Sequence, residues 1–202
     1  GFDGVLLVPA YFEAGRFTAG DIHWANVAGA PVPVGDSEFA RDATFGYTSS
    51  NLREFVAEKS SGTIAAEQVH SLSLTDIREG GPDRVADILA GVTGGAFVVV
   101  NATDYADLEI VLLGGLQALE EGRSFVYRCG PSFPRALAGL EPHGPLTAGQ
   151  IWPTGRPGGQ GLVVVGSHVG LTSRQVAKAQ QRGGLTESEL DVSTLLDPDR
   201  RD

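Results

Sequence analysis

The sequence predicts an α/β fold: a mainly parallel sheet with helices on both faces, a three-layer α/β/α arrangement, interrupted by one β-hairpin excursion. Three observations predict it. Short valine-rich runs bounded by glycine, such as "FVVV" and "LVVV", read as strands buried on both faces. Amphipathic segments alternate with those runs, which is the rhythm of β–α–β units. Helix start and stop residues stand where that alternation needs them.

Taken in order, the first strand is Val5–Val8. "GDIHWANVAGAPVPVGD" then breaks the rhythm and reads as a hairpin turning near Gly29, with Ile22 and Trp24 on one face and His23 on the other. Asn51 opens a helix, with Glu54 three residues on as in a capping box. A strand precedes Thr75, and "GGPDRVADILAG" sets Pro82 at a first helical position with Gly91 just past the end. After a strand at Phe97–Val100, Asp104 opens a helix with a stripe of Leu108, Val111, Leu112 and Leu119, stopped by Gly122. Gly114 and Gly115 weaken that helix, so close packing against a neighbouring strand is their expected use. Further strands are expected at Ser124–Tyr127 and Leu162–Val165. Thr172 with Gln175 reads as a capping box for a helix ending at Gly183 and Gly184. The Pro- and Gly-rich stretch from Glu141 to Gln160 reads as a long loop, because a strand follows it.

Composition narrows the function classes. The chain has 202 residues, 42 % of them hydrophobic, and a mean hydropathy near zero, as soluble globular proteins do. A formal net charge of -10 argues against nucleic acid or an anionic membrane as the main partner. No apolar run approaches the roughly 20 residues that span a bilayer. A single cysteine, Cys129, excludes an internal disulfide and fits a cytoplasmic protein; an inert, semi-buried thiol is the expected reading. His23, His70, His143 and His168 lack metal-ligand spacing, so no metal site is expected. The chain opens almost directly on a strand and contains no methionine, which suggests a piece of a longer polypeptide.

Ligands of open α/β sheets sit outside the carboxyl ends of the strands. The edges there are Pro9-Ala10-Tyr11, Asn101-Ala102-Thr103, Arg128-Cys129-Gly130 and Gly166-Ser167-His168. Each is polar or glycine-rich straight after an apolar run. "ATFGYTSSNLREFV" joins them if its loop folds over the same edge. Ser49, Ser50 and Asn51 would then surround a helix N-terminus, and Arg53 would add a fork suited to a carboxylate or phosphate. Each residue alone has a plainer reading as a cap or a solvated loop side chain; as a group they favour an anion site. "GRPGGQG" precedes a run instead of following one and lacks a Walker lysine, and "GSHVG" is not a nucleophile elbow.

The segments "GVLLVPAYFEAGRFTAGDIHW", "DSEFARDATFGYTSSNLREFVAEKS", "FVVVNATDYADLEI", "FVYRCGPSFPRALAGL" and "GLVVVGSHV" occur in the order seen in four-carbon acid sugar kinases, also labelled type III effector Hrp-dependent outers proteins. The chain resembles the N-terminal, acid-sugar-binding domain of that family from Phe2 to about Val192. The resemblance implies a kinase that phosphorylates threonate, erythronate or their oxo forms, with ATP and Mg2+ held mainly by a further nucleotide-binding domain. It places residues 1–192 in a partial acid-sugar-binding domain and 193–202 in the start of a linker. It implies ligand contacts at Ser49, Ser50, Asn51, Arg53, Asn101, Arg128, Ser167 and His168, and leaves a homodimer open. Where the family usually runs Thr-Ala-Ala-Ser after Arg128, this chain has Cys129-Gly130-Pro131-Ser132, which removes a hydroxyl donor.

A tetronate presents one carboxylate and several hydroxyls. On this reading Arg53 and the helix N-terminus hold the carboxylate, while Asn101, Ser167 and His168 read hydroxyls. Phosphoryl transfer depends on positioning and charge, so the chain alone is expected to be inactive. A stand-alone sugar-acid-binding module and a partner-binding, effector-like protein are the alternatives. Nothing in the sequence assigns a catalytic base.

Overall fold

The computed structural model describes residues 1–197 except Ala28, Ala43, Arg156, Pro157 and His168, and omits the side chains of Phe39, Ser193 and Leu195. It divides into two compact units, Gly1–Pro145 and Leu146–Asp202.

The first unit is built on a four-stranded parallel sheet in the order β5-β6-β1-β7. Its strands are β1 (Gly4–Val8), β5 (His70–Leu72), β6 (Ala96–Val100) and β7 (Phe125–Cys129). Alternation along the strands sends residues to two cores. Leu6, Val8, Val98 and Val100 pack with Leu72, Ile77, Val85, Leu89, Leu108 and Val111, from β5 and from α2 (Leu74–Arg78), α3 (Gly81–Ala90) and α4 (Tyr105–Glu120). Leu7 and Val99 face the other way, onto Leu52 and Val56 of α1 (Leu52–Lys59), with Phe55 and Phe97 at the margin. Helices therefore cover both faces, as the sequence predicts.

The caps behave as local chemistry dictates. Asn51 accepts hydrogen bonds from the amides of Arg53 and Glu54, and Asp104 accepts one from Asp107. Two details of α4 differ from expectation. Leu119 is 58 % exposed, and the buried stripe runs instead through Leu108, Val111, Gly114, Gly115 and Ala118. Gly114 abuts helix α3 rather than a strand: a Cβ there would lie 2.6 Å from the Pro82 carbonyl and from Val85. Gly115 does face the sheet, at the Tyr127 hydroxyl of β7.

The expected hairpin is present and larger than expected. Strands β2 (Arg16–Ala19), β3 (Ile22–Val27) and β4 (Ala30–Pro33) form a three-stranded antiparallel sheet. Gly20 and Asp21 link β2 to β3 with φ of 61° and 62°, both left-handed, as a tight hairpin turn of the primed kind requires. The small sheet is stitched to the carboxyl edge of the large one. Thr18 and Ala102 exchange two backbone hydrogen bonds of 3.0 Å, the His23 amide donates to the Ser50 carbonyl, and the Leu52 amide donates to the Asp21 carbonyl. The chain after β7 enters α5 (Ser132–Leu137) through Gly130, where a Cβ would meet the Pro9 and Ala10 carbonyls at 2.7 and 2.4 Å.

The second unit carries α6 (Ala148–Ile151), α7 (Gly170–Arg182) and α8 (Val192–Leu196). The strand expected at Leu162–Val165 is absent. Those residues have no regular secondary structure and no ladder partner among the described residues, and are 49–89 % exposed. A four-residue run gains strand structure only from a neighbour's hydrogen bonds, and this one has none. The reading of Glu141–Gln160 as a loop ahead of a strand loses its basis with it, and α6 lies inside that stretch. Helix α7 starts at Gly170, two residues before the expected cap. Thr172 donates to the Ser167 hydroxyl at 3.0 Å instead of capping, while Gly183 ends the helix as expected.

Candidate functional site at the carboxyl edge of the sheet

The hairpin turn, the ends of β5 and β6, and the start of α1 meet at one place. Asp21 is its centre. One carboxylate oxygen, Oδ1, accepts from the Ser71 hydroxyl at 2.6 Å and from the Asn101 side-chain amide at 2.8 Å. Asn101, 1 % exposed, also donates to the Leu72 carbonyl at 2.9 Å, and its Oδ1 accepts from the Asp21 amide at 2.8 Å. Its amide is thus spent on tying three elements together. Asp21 Oδ2 makes no hydrogen bond among the described residues. His23, in β3 of the small sheet, is buried and shares a 3.0 Å hydrogen bond with the Thr18 hydroxyl. Burial, with the nearby Arg16 charge, pushes its pKa down to about 4.

Beside this junction is a shallow, wide-open depression of about 480 Å³ lined by Ile22, Thr48, Ser49, Ser50, Asn51 and Glu54. The Ser49 hydroxyl donates to Glu54 at 2.6 Å and accepts from the Asn51 amide. The Ser50 hydroxyl accepts from the Gly35 amide at 2.8 Å. Thr48 donates its amide and hydroxyl to Glu58, and those donors hold the Glu58 carboxyl below its usual value.

The sequence-predicted residues fare differently. Ser49, Ser50 and Asn51 line the depression, but the Asn51 side chain is committed to the helix amides an anion would have used. At the helix N-terminus the chain thus caps itself, and Glu54 adds negative charge in the first turn. Arg53 turns its Nε to the Ala66 carbonyl at 3.1 Å, leaving its terminal nitrogens without a hydrogen bond among the described residues. Arg128 lies over the Phe55 ring of α1, its guanidinium carbon 5.3 Å from the ring centre. Asn101 is at the edge as expected, but as a buried tie rather than a free reader of hydroxyls. Ser167 belongs to the second unit and pairs with Thr172. His168 lies outside the described residues. Cys129 ends β7 and is exposed, not semi-buried, with partial desolvation raising its thiol pKa.

Sequence reasoning missed Asp21, Ser71 and two ion-paired clusters further along the same edge. Arg78 grips Asp107 with two bonds of 2.8 and 2.9 Å, and the Thr103 amide adds a third at 2.8 Å. Burial alone would raise the Asp107 carboxyl, but these donors outweigh it and the net shift is downward. Glu13 accepts from Tyr105 and pairs with Arg135 beside the buried Ser132, whose hydroxyl accepts from the Phe12 amide. A Gly-Asp pair between two strand-like runs was the signal available for Asp21. Among the described residues no three His, Cys, Asp or Glu side chains gather as a metal site would need, and no helix is long and apolar enough to cross a membrane.

The first unit is thus an α/β domain with an added antiparallel sheet and a polar carboxyl edge, the place where ligands of open α/β sheets sit. The family is specific: a model of the sugar-binding N-terminal domain matches residues 1–137, and the chain belongs to that family. The resemblance read from the sequence is thereby borne out. The fold is similar to that of a domain of unknown function (DUF1537) protein from Bordetella bronchiseptica, solved with bound citrate as a domain-swapped dimer. In one crystal form of that protein the identity is 22 % and the TM-score 0.50, over 99 % of this chain and 42 % of that one. In a second form they are 22 % and 0.51, over 91 % and 38 %. A Salmonella typhimurium LT2 protein, described as a candidate tRNA synthase, is similar at 17 % identity and a TM-score of 0.52, over 98 % and 42 %. The chain thus spans about two-fifths of the length of these structures. No curated protein matches it.

Proposed function

We infer that this chain is the substrate-binding part of an ATP-dependent kinase for four-carbon sugar acids, threonate, erythronate or an oxo-tetronate, and that it does not turn over ATP by itself. The observation that carries the reading is the span of the sugar-binding family match. Residues 1–137 fall inside the first unit and contain the whole Asp21–Asn101 junction and the Thr48–Glu54 depression. The chemistry of that edge supports it. Hydroxyls and carboxylates crowd the depression, and such groups suit hydroxyl-bearing ligands. The acid end of the ligand would meet the terminal nitrogens of Arg53, or Arg128 over Phe55, as charge-assisted hydrogen bonds. The Bordetella relative holds citrate, a small hydroxylated acid, and its swapped dimer supports a homodimer here. ATP and Mg2+ would come with a nucleotide-binding domain beyond these residues, in a cytoplasmic enzyme.

The test is turnover. The intact protein with Mg-ATP and a panel of four-carbon acids should release ADP with one or a few of them, and the 202-residue chain with none. ADP release by the isolated chain would overturn its assignment as the non-catalytic part. Absence of both binding and turnover with every four-carbon acid would overturn the substrate class.

A further inference from the structure

We propose that Asp21 is a ligand-binding carboxylate that accepts a hydrogen bond from a hydroxyl of the sugar acid through its Oδ2 atom; this rests on the sugar-acid reading above.

The geometry separates the two oxygens of Asp21. Oδ1 is fixed by Ser71 and Asn101, so the carboxylate cannot rotate freely, and Oδ2 is held in a set direction with no hydrogen bond among the described residues. A carboxylate used only as a structural tie could be replaced by an amide oxygen, since both donors converge on one atom. The position itself is demanding. Asp21 occupies the left-handed region at a φ of 62°, in the second central turn position where glycine is the undemanding choice. Its backbone carbonyl takes the Leu52 amide at the start of α1, and the next residue in the chain, Ile22, lines the depression. A carboxylate there accepts a hydroxyl strongly and repels the ligand's own carboxylate. The ligand is therefore oriented with its hydroxyl end at Asp21 and its acid end away from it.

Asp21→Asn separates tie from ligand contact. The amide oxygen keeps the bonds from Ser71 and Asn101, and the amide nitrogen replaces the acceptor Oδ2. Calorimetric titration of the intact protein with threonate and erythronate, and with succinate as a four-carbon acid without hydroxyls, reads the result. The variant should bind the preferred hydroxy acid about 10- to 100-fold more weakly, while succinate, whose carboxylates Asp21 repels, should bind as well as before or better, with Tm little changed. Unchanged affinity for the hydroxy acid would overturn the proposal while leaving the sugar-acid reading intact. If wild-type protein binds none of these acids, both fall. Should the variant fail to fold, amide chemical shifts of wild-type Asp21 and Ile22 during the threonate and erythronate titrations decide. Shifts that move with saturation support the contact, and shifts that stay fixed overturn it.

Discussion

The two polar regions of the carboxyl edge, the Asn101 junction and the Thr48–Glu54 depression, contain similar residue types and have opposite capacities. At the junction every polar atom of the Asn101 side chain is buried and engaged, so a ligand could use it only by breaking the fold's own bonds. In the depression the hydroxyls of Thr48 and Ser49 lean on the carboxylates of Glu58 and Glu54, which are exposed to water. Those bonds exchange with water or a ligand hydroxyl at small cost. The contrast suits one region to building and the other to binding, and on the proposal above Asp21 takes part in both.

The strongest way to break this contrast is to cut the junction. Asn101→Ala removes the donors to Asp21 and Leu72 and the acceptor for the Asp21 amide. It should destabilise the protein by about 3 to 4 kcal/mol, read as a lowered midpoint in urea. A loss under about 1 kcal/mol would show that the junction is not what holds the small sheet in place.

His23 gives the next largest effect, through pH. The folded protein keeps it neutral down to about 4, whereas the unfolded chain takes up a proton near the ordinary 6.5. The unfolded state therefore binds more protons across that interval, and stability falls as pH drops from 6.5 towards 4. The full loss is about 3 kcal/mol. The lowered carboxylates of Asp107 and Asp76 add their own loss only nearer their ordinary values, so the slope between pH 6.5 and 5 belongs to His23. Denaturation at a series of pH values should show that slope in wild type and a flat line in His23→Gln.

Much of this was legible in the residues, and the failures share a cause. Asn51 and Asp104 announced their helices because capping is local: the partner amides lie within three residues. "FVVV" and "LVVV" have the same pattern, yet Val98–Val100 lie fully buried between β5 and β1 while Leu162–Val165 remain exposed and without a strand partner among the described residues. Which run finds partners is a property of the whole topology and is not written in four residues. The site divides in the same way. The polar edge and the loop before α1 could be read off, because strand ends and caps carry them. The Asp21–Ser71–Asn101 contact spans separations of 30 to 80 residues, and nothing local marks it.

Asn51→Ala sharpens the comparison from the other side. It removes the cap bonds to Arg53 at 2.9 Å and Glu54 at 3.4 Å, and should cost about 1 kcal/mol, well below the junction. Because those amides would then be open, the variant should gain affinity for small anions, measurable by titration with succinate.

Glu54→Gln is expected to change stability least. The glutamine oxygen can still accept from Ser49, and only the favourable meeting of a first-turn carboxylate with the helix dipole is lost, about 0.5 kcal/mol or less. Binding should respond differently. If hydroxyls of the ligand exchange into the Ser49–Glu54 pair, replacing the carboxylate weakens a charge-assisted contact, and affinity for the hydroxy acid should fall about tenfold while Tm hardly moves. A variant in which stability drops more than affinity would place Glu54 with Asn101, among the residues that build, and would leave the depression without its proposed use.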